Sequence, residues 1–379
     1  MELVKFLNNH PDNWQELLAA EPYNIEIHSD TINDVEYWIL KYNMINSNMS
    51  SKLVQEARGS IFRKNDAGEW ICVCHPFDKF FNYGEQHSAV HEIDWETASV
   101  QQKVDGSLIK IWYDNNLWHI STNGSINAFS AGCGETSYGL LVADAISNIP
   151  DFWYALNPTR CYMFELTSPY NHIVIQYEGI HLWYLGCRDM ENDTEIDEEF
   201  NVEGILHPAL FPHHSLSECV MAAHEMGEDE EGYVVCDKNF NRIKIKGDEY
   251  LRLHKIRGNG PLTTLRVVEM WQNDSLDDFV AYYPEFEEFA QNVLNEIGNL
   301  VNLSEIAYKV VSGYDTPERR DFARYANTYK PPIRSYLYAK LDNKVEDAID
   351  FFAEMRARTL ASYIMAEMET TEIGTKEDE

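Results

Sequence analysis

The chain has 379 residues and sets 30 Lys and Arg against 63 Asp and Glu, for a formal net charge of −33 at pH 7. That length suits two domains, and 44% hydrophobic with 13% aromatic residues suits packed cores rather than disorder. The acid surplus excludes a dedicated, sequence-blind duplex binder, whose affinity is built from many Lys/Arg–phosphate contacts. It leaves room for a nucleic-acid enzyme with a small basic site.

No apolar run reaches the ~18 residues of a membrane span. Met1 to Ala20 is polar and interrupted by Pro11, unlike a signal peptide. The seven cysteines are odd in number and scattered, which suits a reducing cytoplasm. Cys72, Cys74 and His75 stand close together, but no second ligand pair stands at a zinc spacing, and buried thiols are the preferred reading.

In chain order, short β-type runs alternate with turns over Tyr37–Tyr42, Ser60–Arg63, Trp70–Cys74, Ser107–Tyr113, Tyr162–Thr167, His172–Tyr177, His181–Leu185, Gly232–Cys236 and Arg242–Lys246. One helix is expected around Ser137–Ser147. Asp189–Glu199 and Glu225–Glu231 are acidic enough to read as solvated surface insertions. Near Gly258-Asn259-Gly260-Pro261 the period changes. Phe286, Phe289, Val293, Leu294, Ile297 and Leu300 recur at helical spacing, as do Val345, Ala348, Ile349, Phe352 and Met355. Thr316-Pro317-Glu318 reads as a helix start. The expected organisation is an α+β domain over residues 1–257, an all-helical domain over 258–366 and an acidic flexible tail over 367–379.

Four features carry chemistry. Lys103-Val104-Asp105-Gly106-Ser107 places a lysine on a turn that opens a strand, where Gly106 would admit a ligand closely. A lysine attacks activated phosphorus only as the neutral amine, so burial or nearby cations must lower its pKa from about 10.4. Alone, the pentapeptide also fits a surface turn. In Arg242-Ile243-Lys244-Ile245-Lys246, period two puts three cations on one face, either facing a polyphosphate or guarding an exposed edge strand. Glu165 and Glu231 lie beside apolar strand residues, where a buried carboxylate needs a partner: a ribose hydroxyl for one, a hard cation for the other. Singly, both also read as strand-edge glutamates. Arg58 in Glu56–Phe62 and Lys79 in Phe77–Asn82 each set one cation among aromatic and small residues.

Taken in order, A-R-G-x-x-F at Arg58, K-F-F-N at Lys79, K-x-D-G-S at Lys103, F-E-x-x-x-P-x-N-x-I-V at Glu165, E-G-Y-V at Glu231 and K-I-K at Lys244 resemble the covalent nucleotidyltransferase superfamily. Within it they resemble the bacteriophage RNA ligase 1 family most closely, over about Tyr42 to Tyr250. The resemblance implies an N-terminal nucleotidyltransferase fold, ATP-grasp-like with antiparallel sheets and helices, followed by an all-α domain that contributes RNA substrate choice.

It also implies roles. Lys103 would attack the α-phosphate of ATP to form lysyl-AMP, AMP would pass to an RNA 5′-phosphate, and a 3′-hydroxyl would displace AMP. Lys244 and Lys246 match α-phosphate ligands, and with Lys103 and Glu231 complete the catalytic set. Tyr42, Arg58, Lys79 and Glu165 match nucleotide contacts, Tyr42 at the adenine and Glu165 at the ribose. Glu231 and Asp277 match metal contacts for Mg²⁺, with Mn²⁺ as a substitute. Implied partners are ATP and single-stranded RNA or a nicked tRNA anticodon loop, in tRNA or RNA repair. The expected setting is the host cytoplasm, with no membrane, and the expected state is a monomer.

One departure stands out. The resemblance leads one to expect a lysine directly before Gly124-Ser125, where this chain has Asn123, so a phosphate contact is lost or moved, Lys110 being a candidate. A DNA ligase or capping enzyme shares the lysine motif but typically appends an OB-type barrel where helices follow here. A catalytically inactive homologue serving as a binding adaptor would be marked by loss of a motif residue, and Lys103, Glu231, Lys244 and Lys246 are all present.

Overall fold

The computed structural model describes residues 1–248, apart from 45, 134–135, 148, 172–173 and 228, and residues 262–376, apart from 283 and 313–318. The chain forms two compact units, Met1–Arg257 and Gly258–Glu379. The Gly258–Pro261 boundary and the Thr316–Glu318 helix start fall outside the described residues.

In the first unit β1 (Ile25–Ile32), β2 (Val35–Tyr42), β3 (Arg58–Lys64) and β4 (Trp70–Cys74) make one antiparallel sheet. β5 (Phe81–Asn82) and β6 (Ser99–Gln102) precede the hairpin of β7 (Ser107–Asp114) and β8 (Leu117–Thr122). β9 (Gly132–Cys133) and β10 (Thr136–Ser137) form a small ribbon that leads into the helix Tyr138–Ser147. Then come β11 (Arg160–Thr167), β12 (His181–Asp189), β13 (Thr194–Ile196), β14 (Leu210–Phe211), β15 (Gly232–Cys236) and β16 (Arg242–Lys246). They complete two five-stranded sheets, ordered β13-β12-β11-β7-β8 and β14-β6-β15-β16-β5.

Local chemistry sets the hairpins. Asn33-Asp34 joins β1 to β2 with φ of 50° and 64°, and Asn115-Asn116 joins β7 to β8 with φ of 48° and 63°. Two-residue loops need positive φ at both positions to match the strand twist, and Asn and Asp tolerate it best among residues with a side chain.

Strand alternation then fixes the layers. Ile109 and Ile111 of β7 and Tyr162, Phe164 and Leu166 of β11 enter a core with Leu141, Val142 and Ile146 of the Tyr138–Ser147 helix. Fully burying one such aliphatic side chain is worth about 1.5–3 kcal/mol. The opposite face of the same strands carries Trp112 and Cys161, which pack on Tyr37, Ile39, Ile61 and Val73 of the first sheet. It also carries Leu108 and Met163, which pack on Phe77. In the third sheet Tyr233, Val235, Ile243 and Ile245 pack against Cys219 and Ala223 of the helix Leu216–His224. Lys244 and Lys246 therefore point to the other face.

Two expectations change here. Residues 174–177 are not strand: Val174 and Ile175 are buried in a loop, and 172–173 lie outside the described residues. The acidic stretch Asp189–Glu199 is not a simple solvated insertion. It contains β13, and its Asp193 and Glu195 are tied to His75, Arg188 and Arg242.

Every element described in the second unit is helical, the longest being Glu287–Ser312 and Ala357–Lys376. The latter runs into the segment expected as a tail, as far as Lys376. Among the described residues no helix is long and apolar enough to cross a membrane.

Candidate active site

The K-x-D-G segment is the crossing between the two five-stranded sheets. Lys103 follows β6, and its backbone N–H donates to the Gly232 carbonyl at 2.8 Å. Ser107 opens β7 in the other sheet. Between them, Asp105 is 2% exposed and accepts N–H bonds from Val174 and Ile175, both at 2.8 Å. Burial, then the charge of Glu231, pushes its carboxyl up. Gly106 has a reason other than ligand approach. A Cβ there would lie 2.4 Å from the Leu166 carbonyl oxygen, so the close neighbour is β11 itself. Asn171 ties the same corner, donating to Ser107 Oγ at 3.0 Å and to the Leu166 carbonyl at 2.8 Å.

At the head of β15, Glu231 is 3% exposed. Its Oε1 lies 2.7 Å from Lys103 Nζ and 3.4 Å from Lys246 Nζ. Its Oε2 is buried and has no hydrogen-bond partner among the described residues. Gly232 allows this crowding: at φ 144° it brings β15 so close to β16 that a Cβ would meet the Ile245 carbonyl oxygen at 2.1 Å. Glu165, on the Met163 face of β11, has its pKa raised to about 8, first by burial and then by Glu231 and Asp105, with Lys103 and Arg58 opposing.

Aromatic rings floor the cationic part. The Phe80 ring lies 5.6 Å from the Arg58 guanidinium and 5.2 Å from Lys244 Nζ. Lys79 Nζ stands 5.2 Å from the Tyr42 ring and 5.6 Å from that of Phe81. Cations over ring faces are held by the ring quadrupole, at about 0.5–2 kcal/mol each. Arg58 Nη1 is buried without a hydrogen-bond partner among the described residues. A buried guanidinium donor and a buried carboxylate oxygen, each short of a partner, suit a ligand that is both anionic and metal-bound.

Lys103, Glu231, Glu165, Lys244, Lys246 and Arg58 are thus brought together, with Lys79 and Tyr42 on the Phe81 side. Two expectations fall outside this group, Arg242 and Lys110. Arg242 shares the β16 face, but its Nη1 lies 2.6 Å from Glu195 and its guanidinium stacks 4.3 Å above Phe77, so its charge is committed to structure. Lys110 is fully buried and donates to the Gly59 carbonyl, which removes it as a stand-in for the lysine expected at Asn123. Asp277 belongs to the second unit, on the helix Leu276–Tyr282. The zinc alternative also fails. Cys74 Sγ faces Cys161 Sγ at 3.5 Å, and both His75 ring nitrogens are taken by Asp193 and Asp78.

Sequence reasoning missed Asp105, Asn171 and Phe80 as parts of the site. The signal for the first two lay in the quoted motifs themselves, where both are fixed letters. Phe80 stands between the lysine and the phenylalanine of K-F-F-N.

A model of the RNA ligase family matches residues 56–250, which includes every residue of this group except Tyr42. The chain is 30% identical over 318 residues to a baculovirus protein, from Autographa californica nuclear polyhedrosis virus, named as a bifunctional polynucleotide kinase/RNA ligase. That match takes in 79% of this chain and 45% of the viral protein, so the chain spans less than half of that relative. It is 26% identical over 362 residues to an RNA ligase of Rhodothermus phage RM378, covering 76% of this chain and 81% of the phage protein. An archaeal ATP-dependent RNA ligase superposes on 91% of the chain at 13% identity, with a TM-score of 0.48, too distant a likeness to inform function. With the family match running from just before Arg58 to just beyond Lys246, the chain belongs to the RNA ligase family.

Proposed function

We propose that the protein is an ATP-dependent RNA ligase that joins 5′-phosphate and 3′-hydroxyl ends through a lysyl-AMP intermediate. The observation that carries this reading is the Lys103 amine, 2.7 Å from a nearly buried glutamate and beside Lys246 on a strand that also presents Lys244. In the first step the neutral Lys103 amine forms a nitrogen–phosphorus bond to the α-phosphate of ATP and gives up one proton to solvent, the α–β phosphoanhydride breaks, and pyrophosphate leaves. An RNA 5′-phosphate oxygen then takes the adenylyl group, the nitrogen–phosphorus bond breaks, and Lys103 regains a proton. Finally the 3′-hydroxyl, giving up its proton to solvent, attacks the 5′-phosphate, the phosphoanhydride that joins it to AMP breaks, and AMP leaves.

Negative charge accumulates on the phosphate oxygens in each transition state. Lys244, Lys246 and Arg58 are fixed cations that stabilise it without reorganising. Glu165 serves the ribose hydroxyls, Tyr42 the adenine, and Lys79 with Arg58 the nucleotide and its phosphates. The unpartnered Glu231 Oε2 suits a hard divalent cation, Mg²⁺ or Mn²⁺, together with phosphate oxygens and water. Such an ion would neutralise phosphate charge in the reacting triphosphate. Asp277 is the second candidate metal contact.

Residues 1–257 carry adenylylation on this reading. The helical residues 258–366 select the RNA, a single strand or a nicked anticodon loop, in the cytoplasm of a host cell, with the protein acting as a monomer. The test is incubation with α-labelled ATP and Mg²⁺ followed by denaturing electrophoresis. Wild type gives a labelled protein band and Lys103→Ala gives none; no band from folded wild type overturns the proposal. Sealing of 5′-phosphorylated RNA compared with DNA then separates RNA from DNA ligation.

A further inference from the structure

The site lacks a lysine before Gly124, and the fully buried Lys110 does not replace it. Asn123 supplies no charge, and its Oδ1 is buried. A cation nonetheless reaches this turn from another strand. Lys41 Nζ lies 3.8 Å from the point a Cβ would occupy on Gly124.

The surrounding strands and the turn itself account for this approach. Strand alternation puts Lys41 on the same face of β2 as Tyr37 and Ile39, which pack with Trp112 and Ile126 beside the β8 turn. The turn is shaped by Thr122, whose Oγ1 accepts from the backbone N–H groups of Gly124 and Ser125 at 3.3 and 3.0 Å. Across the sheet, Lys41 pairs with Arg58 beyond a register shift at Leu40/Lys41 that leaves Gly59 as the extra residue on β3. The next residue on β3 adjoins the same turn: a Cβ on Gly59 would lie 2.6 Å from the Asn123 carbonyl oxygen. Lys41, Arg58 and the 122–125 turn therefore converge.

We propose that Lys41 is a triphosphate-binding residue, holding the β- or γ-phosphate of ATP from β2 in place of a lysine on the 122–125 turn. The inference rests on the ligase reading above and adds a residue to it. Lys103 and Lys246 gather at Glu231 and, with Lys244 on the same strand face as Lys246, serve the α-phosphate. Lys41 and Arg58 form a second pair of cations on the neighbouring sheet, matched to the charge that leaves as pyrophosphate. Lys41 then acts in the step that consumes ATP and has no phosphate to hold once pyrophosphate has gone.

The experiment measures labelled-adduct formation against ATP concentration for wild type, Lys41→Ala and Lys41→Arg. In parallel it measures sealing of chemically pre-adenylated RNA, in which no triphosphate takes part. Lys41→Ala is expected to need about 10- to 100-fold more ATP for half-maximal adduct, the usual size of a charge-assisted phosphate contact. Lys41→Arg keeps most of the affinity, and Lys41→Ala loses far less in sealing pre-adenylated RNA than in adduct formation. If Lys41→Ala does not fold, Lys41→Gln takes its place under the same criteria. Unchanged ATP dependence in the neutral variant overturns the proposal and leaves the ligase reading standing. Equal losses in both reactions also overturn it, because they mark a structural role. Wild type without any adduct overturns the ligase reading and this inference together.

Discussion

Glu165 is a carboxyl group kept protonated well above its usual range, with its pKa raised to about 8. In the unfolded chain the same group titrates near 4.3. Between those values the folded protein binds more protons than the unfolded chain, so this group lowers stability as pH rises from about 5 to 8. Glu165→Gln cannot lose that proton. The nucleotide-free variant is expected to lose less melting temperature between pH 5 and pH 8 than wild type, measured by thermal unfolding in matched buffers. Parallel slopes would show that Glu165 is not held in this state. The residue's identity was legible because F-E-x-x-x-P-x-N-x-I-V is a local pattern. Its environment was not, because the charges that raise its pKa come from Glu231 and Asp105, distant in sequence. Arg242 shows the same limit from the other side. Period two ranks it equally with Lys244 and Lys246, and only the fold reveals that Glu195 takes its charge.

At the scale of elements, what holds the site in place is a set of clamps between strand ends. His75, just after β4, is nearly buried and bridges Asp193, in the β12–β13 turn, at 2.5 Å and Asp78, one residue before Lys79, at 2.9 Å. Burial alone would lower its pKa, but the bonds to Asp193 and Asp78 raise it. Its contribution is complete below the unfolded value of about 6.5 and is lost as pH rises through the folded value. His75→Ala is expected to cost about 1–3 kcal/mol at pH 6 in urea unfolding, with the difference from wild type shrinking at higher pH. An equal cost at every pH would contradict a charged bridge. Eight of the sixteen described strands, β2, β3, β4, β7, β11, β12, β15 and β16, were legible from alternation. β13 was not, because its acidic composition resembles a solvated loop until Arg188 and Arg242 are seen to neutralise Glu195. The loop at 174–177 read as strand because Val174 and Ile175 are β-type residues; their N–H groups instead bind Asp105.

For the molecule as a whole, the question is how a chain of net charge −33 handles a polyanion. Nonspecific affinity for nucleic acid scales with the number of phosphates neutralised by Lys and Arg. Of the 30 basic residues, five (Arg58, Lys79, Lys103, Lys244 and Lys246) belong to the candidate nucleotide site, with Lys41 added by the triphosphate proposal. Many others are paired within the protein, among them Arg63 with Asp114, Arg160 with Asp189, Arg188 with Glu195 and Arg319 with Asp342. With 63 acidic residues against 30 basic ones, the field of the chain opposes a long polyanion, so few counterions are expected to be released on binding. For a 5′-phosphorylated RNA strand, log K against log salt is expected to have a slope between about −1 and −3, since each phosphate contact on a single strand adds roughly −0.7. Removing the 5′-phosphate should weaken binding more than shortening the strand. Fluorescence anisotropy over a salt series tests both. A slope steeper than about −5 would require some seven phosphate contacts. It would mean that the ion pairs above open on binding or that a basic surface outside the site tracks the RNA.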